Sequence, residues 1–530
     1  MSARILVSDN LSEEGLAKLR AAGFEVIYNT KLTKEELDAI LPTISGWLVR
    51  SATKVTAEAI GKAPLLRVVG RAGVGVDNVD AEAATARGVV VMNTPGGNTI
   101  STAEHTIAMM LSLARHIPDA VASMREGKWD RKSFTGVEIE GKTVGVVGLG
   151  RIGQEVIKRL RAFGCHILGF DPHVTDERVK RLGAEPVTVE DMVPRADILT
   201  VHAPLTPETR DIIDARQLAR MKKSALIVNC ARGGIINEAA LADALRQGLI
   251  AGAAVDVYEV EPLPADNPLR GAPRLLATPH IAASTNEAQE LVAVQVAEQV
   301  IDFLRFGIIK NAVNAPSVDA EQLETLRPFL TLAEKLGAFV AQFAGAPVKR
   351  FEIEYFGGLL DHALTPVTIA AEKGFLLPTT DTMVNDVNAM NLMKARGIDV
   401  LETRHSEPAQ FSNLIRIRAT QQDGRMDTVA GTVFEGNRPR IVQVNDKFFD
   451  AHPVGHVLVI ENRDVPGIIG AVASVLGSHG INIGQMTWGR TEKDGTALTV
   501  INLDAPIRKD VLAEIRALSN ILSVKTMDLS

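Results

Sequence analysis

The sequence predicts an α/β protein with two doubly wound parallel-sheet domains, one inserted in the other, then an α+β intervening domain and a ferredoxin-like unit. Three observations carry this prediction. Short apolar runs alternate with helix-like stretches through the first 95 residues, and again from residue 143 to about 283. That alternation is the mark of a parallel sheet covered on both faces. Two long helical patterns, one after Pro95 and one at residues 289–304, flank the second unit like the two crossings between a host and its insert. Residues 456–530 read strand, helix, strand, strand, helix, strand, a compact antiparallel unit.

Each element has a local reason. Residues 5–7, 26–28, 47–49 and 68–70 are apolar runs of strand length. Asn93-Thr94-Pro95-Gly96-Gly97-Asn98 is a loop by composition. Ser101 followed by Glu104 reads as a capping box opening a helix. Its apolar side is Ala103, Ile107, Met110, Leu111 and Ala114, and Pro118 follows its end. The predicted division is residues 1–98 with 284–315 for the host domain, 99–283 for the insert, 316–452 for the intervening domain and 453–530 for the last. Between residues 318 and 449 the strand patterns 351–355 and 428–434 stand out, without a motif that implies chemistry.

Composition excludes several function classes. At 530 residues the chain exceeds what one hydrophobic core supports. A net charge of -7 argues against a nucleic-acid binder that neutralises phosphates, while allowing a local basic pocket. Two cysteines, Cys165 and Cys230, make no disulfide framework and suggest a reducing compartment. Met1-Ser2-Ala3-Arg4-Ile5 leads into a strand pattern without a signal-peptide core, and no apolar run nears the roughly 20 residues of a membrane span. A soluble, cytoplasmic protein is expected, with no nucleic-acid or membrane partner and no metal.

Gly148-Leu149-Gly150-Arg151-Ile152-Gly153 follows the apolar strand 143–147 and opens the helical pattern 154–163. The next strand, 167–170, ends at Asp171, near the ~20-residue spacing of a dinucleotide fold. Each part has a physical task. Gly148 permits the tight turn, Gly150 lets the backbone approach a pyrophosphate, and Gly153 allows close helix–strand packing. The helix N-terminus offers free N–H groups to the anion. Asp171 would accept the ribose hydroxyls and repel a 2′-phosphate. Pro172-His173 offers no Arg to offset that repulsion, so NAD is preferred over NADP.

Three further strands of this Rossmann-like unit end in chemistry. Strand 225–229 is followed by Cys230-Ala231-Arg232, strand 252–257 leads to Glu261, and strand 275–278 precedes Pro279-His280. In a parallel sheet all strand C-termini share one edge, so Arg232, Glu261 and His280 can converge there. Oxidising a secondary alcohol needs a base, and His280 suits the task because imidazole titrates near neutrality. Glu261 would fix its tautomer, and Arg232 would grip a substrate carboxylate at two points. His105, His116, His166 and His479 read as structural, while His202, ending strand 198–201, reads as close to the cofactor.

These motifs, with Asn229-Cys230-Ala231-Arg232-Gly233-Gly234 and Thr278-Pro279-His280, resemble the D-isomer-specific 2-hydroxyacid dehydrogenases over residues 1–315. The resemblance implies that Arg232, Glu261 and His280 are the catalytic trio. It implies that Arg151, Ile152, His202, Ala203, Pro204 and Cys230 line the cofactor and that Asp256 sits near the nicotinamide carboxamide. Arg50 and Arg71 end two strands of the first domain, more cations than a simple carboxylate would need, so a phosphorylated acid is expected.

Val49-Arg50-Ser51-Ala52-Thr53-Lys54, the run from Gly70 to Asp80, and the 93–98 loop are similar to family members that act on 3-phosphoglycerate. That similarity implies substrate contacts from Arg50, Ser51, Arg71, Gly73, Val74 and Asn98, with Arg131 approaching a neighbouring subunit's site. It also implies NAD-dependent oxidation of D-3-phosphoglycerate to 3-phosphohydroxypyruvate, the first step of L-serine synthesis, by a homo-oligomer, dimer or tetramer. The last unit, with Asn462-Arg463-Asp464-Val465-Pro466-Gly467 and Gly480-Ile481-Asn482-Ile483, resembles an ACT domain. In this setting the ligand is usually serine, with Asn462, Asp464 and Asn482 at the matching positions; a structural dimerisation module is the alternative. The middle region resembles the extra, allosteric substrate-binding-like domain of long family members. Two other functions remain open: a glyoxylate or hydroxypyruvate reductase, which rarely carries such a tail, and an NAD-sensing binding protein, which has no need of the trio.

Overall fold

The computed structural model describes residues 3–317, 320–406, 410–435, 437–490 and 495–530; Met1, Ser2 and the start of the middle region at Val318 lie outside them. The first sheet is all parallel, with β1 (Arg4–Val7), β2 (Glu25–Tyr28), β3 (Gly46–Val49), β4 (Val68–Arg71) and β5 (Val90–Met92) in the order 2-1-3-4-5. This is the doubly wound order of a flavodoxin-like domain. The second sheet contains β6 (Thr143–Val147), β7 (His166–Phe170), β8 (Glu185–Pro186), β9 (Ile198–Val201), β10 (Leu226–Asn229), β11 (Gly252–Val255) and β12 (Leu275–Ala277). Its spatial order, β12-β11-β10-β9-β6-β7-β8, places the switch point between β6 and β9, where such sheets hold nucleotides.

Two helices cross between these sheets, as expected. The first, Thr99–Ala114, buries Ala103, Ile107, Met110 and Ala114 in one core with Val144, Val146, Val156 and Leu160. The second, Asn286–Phe306, buries Val292, Val296 and Val300 with Leu16, Leu19 and Val68. The capping box does not form. Asn98 stands at the N-cap without a side-chain bond, and the Ser101 hydroxyl, already inside the first turn, donates to the Asn98 carbonyl at 3.0 Å. Glu104 is drawn away by an opposite charge and accepts from Arg159 at 3.2 Å. Pro118 belongs to a separate helix, Ile117–Arg125, after a left-handed turn at His116 (φ 51°).

The third sheet is mixed, with β13 (Val348–Gly357), β14 (Asp399–His405), β15 (Asn413–Gln421), β16 (Met426–Phe434), β17 (Arg438–Val444) and β18 (Lys447–Ala451) in the order β14-β13-β15-β16-β17-β18. Phe351, Ile353 and Tyr355 alternate onto the face covered by helices Ala320–Ala344 and Thr365–Leu376. The last sheet, β20-β21-β19-β22, is antiparallel, from β19 (Gly455–Arg463), β20 (Ile483–Arg490), β21 (Thr496–Leu503) and β22 (Ile521–Leu529). Alternation along β19 divides its residues. Leu458 and Ile460 face helix Ile468–Ser478, while Val457 and Val459 join the core of the intervening domain. The intervening domain in turn reaches the first sheet, where Asn385 Nδ2 donates to the Gly88 carbonyl at 2.7 Å and Val387 enters that core. No helix among the described residues is long and apolar enough to cross a membrane.

One buried carboxyl sets a pH dependence. Glu372 is 1% exposed and its Oε2 has no partner; burial pushes its carboxyl up to about 7. A folded-state value above the unfolded one means that unfolding becomes easier as pH rises from the ordinary carboxylate range through about 7, where the folded protein must ionise a buried group. Above that the loss is complete, on the order of 3 kcal/mol. Glu372→Gln should therefore be more stable than the parent at pH 8 and nearly equal to it at pH 4. Denaturant unfolding at the two pH values tests this, and a difference independent of pH would refute it.

Candidate active site

Strand register builds the site. Parallel pairing sets Asn229 beside Val255, and Val255 beside Ala277, so the residues that follow each strand emerge side by side. At ~4.8 Å per strand, the row β6-β9-β10-β11-β12 extends about 19 Å along one edge. Gly148, His202, Cys230, Asp256 and Thr278 therefore stand in spatial order from the glycine loop to His280.

At the far end His280 Nδ1 lies 2.7 Å from Glu261 Oε2. The other Glu261 oxygen accepts from the Tyr258 N–H at 3.0 Å. Partial burial works to raise the Glu261 carboxyl, but the bonds from His280 and Tyr258 and the charges of His280 and Arg232 outweigh it and hold it below its ordinary value. It therefore stays ionised through the usual carboxylate range, and the pair is lost only at lower pH. With Nδ1 engaged, Nε2 is the nitrogen left for chemistry. His280 has a left-handed backbone (φ 54°), a strained setting for a residue with a Cβ.

Arg232 is aimed by its own turn. Asn229 accepts from the Ala231 N–H at 3.0 Å and donates to the Arg232 carbonyl at 2.9 Å, and the guanidinium lies 3.4 Å from Asp77 of the first domain. Across the cleft, Arg50, Ser51, Arg71, Gly73 and Asn98 face Arg232, Glu261 and His280 around a volume of about 890 Å³. Burial first, then the charges of Arg232 and Arg50, pull Arg71 down to about 10, so it remains a cation at neutral pH. Its buried Nε has no partner, a donor waiting for an acceptor. Gly73 (φ 152°) leaves space that a side chain would take from the Arg71 guanidinium.

Two contributors escaped the sequence. Lys54 also lines the cleft, and its signal was available four residues after Arg50. Asp9 shapes the Arg50 loop, accepting from the Arg50 N–H at 2.6 Å, the Thr53 N–H at 3.1 Å and the Thr53 hydroxyl at 2.6 Å. Only its place at the end of β1 hinted at this. Val74 does not line the cleft, but its carbonyl accepts from Asn93 Nδ2. Arg131 is exposed in the segment after Arg125 and also stands outside the cleft.

At the near end the loop suits a dinucleotide. A Cβ on Gly150 would meet open space, and the helix Arg151–Ala162 starts there with no side-chain cap, leaving its first N–H groups free for a pyrophosphate. Arg151 is exposed and Ile152 half-buried on that first turn. Asp171 accepts from the Leu149 and His173 N–H groups, both at 2.9 Å, and each oxygen keeps a lone pair for a ribose hydroxyl. The side chains of three further residues expected at the cofactor have protein surroundings of their own. The half-buried His202 ring, its pKa pulled down to about 4 by desolvation, lies 3.0 Å from the Thr200 hydroxyl. Burial and Asp256 push the Cys230 thiol up to about 12, so it is inert. Asp256, wholly buried, is committed to the His280 loop. Ala203 and Pro204 follow His202 along the rim, half-buried and exposed.

Known proteins resemble this chain over its whole length. Residues 107–282 match the D-isomer specific 2-hydroxyacid dehydrogenase NAD binding domain. Residues 325–445 match the D-3-phosphoglycerate dehydrogenase intervening domain, and residues 456–520 an ACT domain. D-3-phosphoglycerate dehydrogenase of Methanocaldococcus jannaschii is 44% identical over 527 residues, covering 99% of this chain and 100% of its own. That of Bacillus subtilis is 43% identical over 526 residues, covering 99% of each. The crystal structure of NAD-dependent formate dehydrogenase from Staphylococcus aureus in complex with NAD superposes with a TM-score of 0.53 at 32% identity, covering 60% of this chain and all of that one. The cofactor is NAD. With whole-length relatives of one name and three matching domains in the same order, the chain belongs to the D-3-phosphoglycerate dehydrogenases, within the D-isomer-specific 2-hydroxyacid dehydrogenase family.

Proposed function

We propose that the chain oxidises D-3-phosphoglycerate to 3-phosphohydroxypyruvate, the first step of L-serine synthesis, with Arg232, Glu261 and His280 as its catalytic residues. The observation that carries this is the concentration of Arg50, Lys54, Arg71 and Arg232 in the cleft that also holds the His280–Glu261 pair. One guanidinium satisfies a carboxylate, and the remaining cations suit a doubly charged phosphate. Arg232 holds the carboxylate and polarises the oxygen on C2. His280 Nε2 takes the hydroxyl proton, and Glu261 stabilises the imidazolium that results. NAD, when bound, accepts the hydride leaving C2, so that the alcohol becomes a carbonyl. Asp171 supports NAD against NADP through repulsion of a 2′-phosphate.

The finer organisation is proposed with it. The domain limits are those given from the sequence, and two free, buried cysteines suit a cytoplasmic setting. Helix Ile117–Arg125 supports a homo-oligomer, since Ile117, Val121 and Met124 are 44–54% exposed and nearby Trp129 is 79% exposed. A patch of this kind on a helix is an interface signature. The ACT domain supports amino-acid regulation, with serine as the candidate. There Asp464 pairs with Arg490 at 2.7 Å, Asn482 donates to Asp504 at 2.6 Å, and the buried Asn462 donates to the Arg463 carbonyl at 2.8 Å. A ligand must displace or share these bonds.

Three measurements test these proposals. Arg71→Ala should raise KM for 3-phosphoglycerate about 10- to 100-fold, the weight of a lost charge-assisted bond, and change KM for D-glycerate little. Equal effects would remove Arg71 from the phosphate site, and faster turnover of glycerate than of the phosphorylated acid by the parent would favour the reductase alternative. His280→Gln should lower kcat on the order of 10²–10⁴-fold while leaving NAD affinity intact; retained turnover would end its role as base. Paired Val121→Glu and Met124→Glu changes should shift the oligomer to monomer in light scattering, and an unchanged mass would place the interface elsewhere.

A further inference from the structure

Behind the His280–Glu261 pair stands a second histidine and carboxylate. Asp256 is 0% exposed, yet its oxygens collect the Thr278 hydroxyl at 2.6 Å and the N–H groups of Ile281 and Ala282 at 2.9 Å each. All three donors belong to the loop that carries His280. The same Asp256 Oδ1 lies 3.5 Å from His105 Nε2, a buried nitrogen that makes no full hydrogen bond and has this carboxylate as its charged neighbour. His105 is on the first crossing helix, Thr99–Ala114. One turn further along that helix, Met109 Sδ lies 3.8 Å from the Thr278 hydroxyl, so a single helix face rests on the brace of the catalytic loop.

We propose that His105 is a positioning residue for the reaction: from the helix joining the two domains it holds Asp256, and through Asp256 the loop that presents His280. The physical case is the cost of the arrangement. A buried carboxylate without enough donors is expensive, and a loop bent into a left-handed histidine needs its surroundings to hold it there. The other titratable groups facing Asp256 do not help. Cys230 and Tyr258 are pushed up to about 12 by burial and by Asp256 itself, so they stay neutral. Burial works to raise the Asp256 carboxyl, and the nearness of His105, foremost, with the donors from Thr278, Ile281 and Ala282, nevertheless keeps it below its ordinary value. The consequence is a link between domain geometry and chemistry. A shift of the crossing helix moves His105 and therefore the hold on His280, where displacement by an ångström costs on the order of 10²-fold in rate.

This inference rests on His280 being the acid–base group, and its test separates the two. His105→Leu and His105→Gln in the full chain are compared for kcat, both KM values, NAD affinity by fluorescence and thermal stability. His105→Leu should lower kcat about 10- to 100-fold, with KM and NAD affinity within about twofold. His105→Gln, whose amide nitrogen can reach the same oxygen, should recover to within about threefold of the parent. Equal impairment of the two, no change in either, or a loss of NAD affinity in place of kcat would overturn the assignment. Should His105→Leu fail to fold, a double-mutant cycle of His105→Asn, whose shorter amide falls short of Asp256, with Thr278→Val decides, because both act on Asp256 and must be non-additive in kcat. Additive effects refute the relay. A His280→Gln enzyme that still turns over sinks the acid–base role itself, whereas an inactive one beside neutral His105 variants sinks only the positioning role.

Discussion

The in-register parallel pairing of β9, β10, β11 and β12 is the constraint on which the site depends. Residues separated by dozens of positions become neighbours because each follows a strand that stops at the same level. The buried strands can afford no register slip, since every face position of Leu226–Asn229 and Gly252–Val255 is inside. Hydrophobic burial thus does the geometric work, and the polar side chains at the rim inherit their spacing. Secondary bonds then refine it. Asn229 aims Arg232, Tyr258 orients Glu261, and Asp256 holds the loop of His280.

Electrostatics divides the cleft into two tasks. At the end beside β12 a carboxylate stands against one histidine, so a positive charge on that ring has a partner in place. At the opposite wall, Arg71 carries its charge in a mostly desolvated setting without a carboxylate bonded to it. Such a group lowers its own stability while empty and gains most when an anion arrives. The wall is costly in the free protein, and an anion is what would offset that cost.

Much of this was legible in the sequence because it is local. The glycine loop, its strand and Asp171 lie within one unit, and the trio could be placed by knowing which residues end strands. What escaped depends on contacts between distant segments. The hold of Asp256 on the backbone of 281 and 282 is visible only once that loop folds over it. Ser101 and Glu104 fit a capping pattern, but Arg159 on another helix competes for the glutamate. His105 resembles any histidine on a helix. Asp464 and Asn482 carry the right chemistry for an amino acid, and their engagement with Arg490 and Asp504 is visible only in three dimensions.

The sheet of the last domain is apolar on both faces, one side under its own helices and the other in the core of the intervening domain. Lysine 335, Gln342 and Lys525 stitch the same seam. Such a two-sided sheet cannot pivot freely on a tether, because any rotation would expose oily surface to water. The intervening and last domains therefore share one continuous packing seam. Asn385, bonded to Gly88, and Val387, inside the first core, anchor that block to the first sheet.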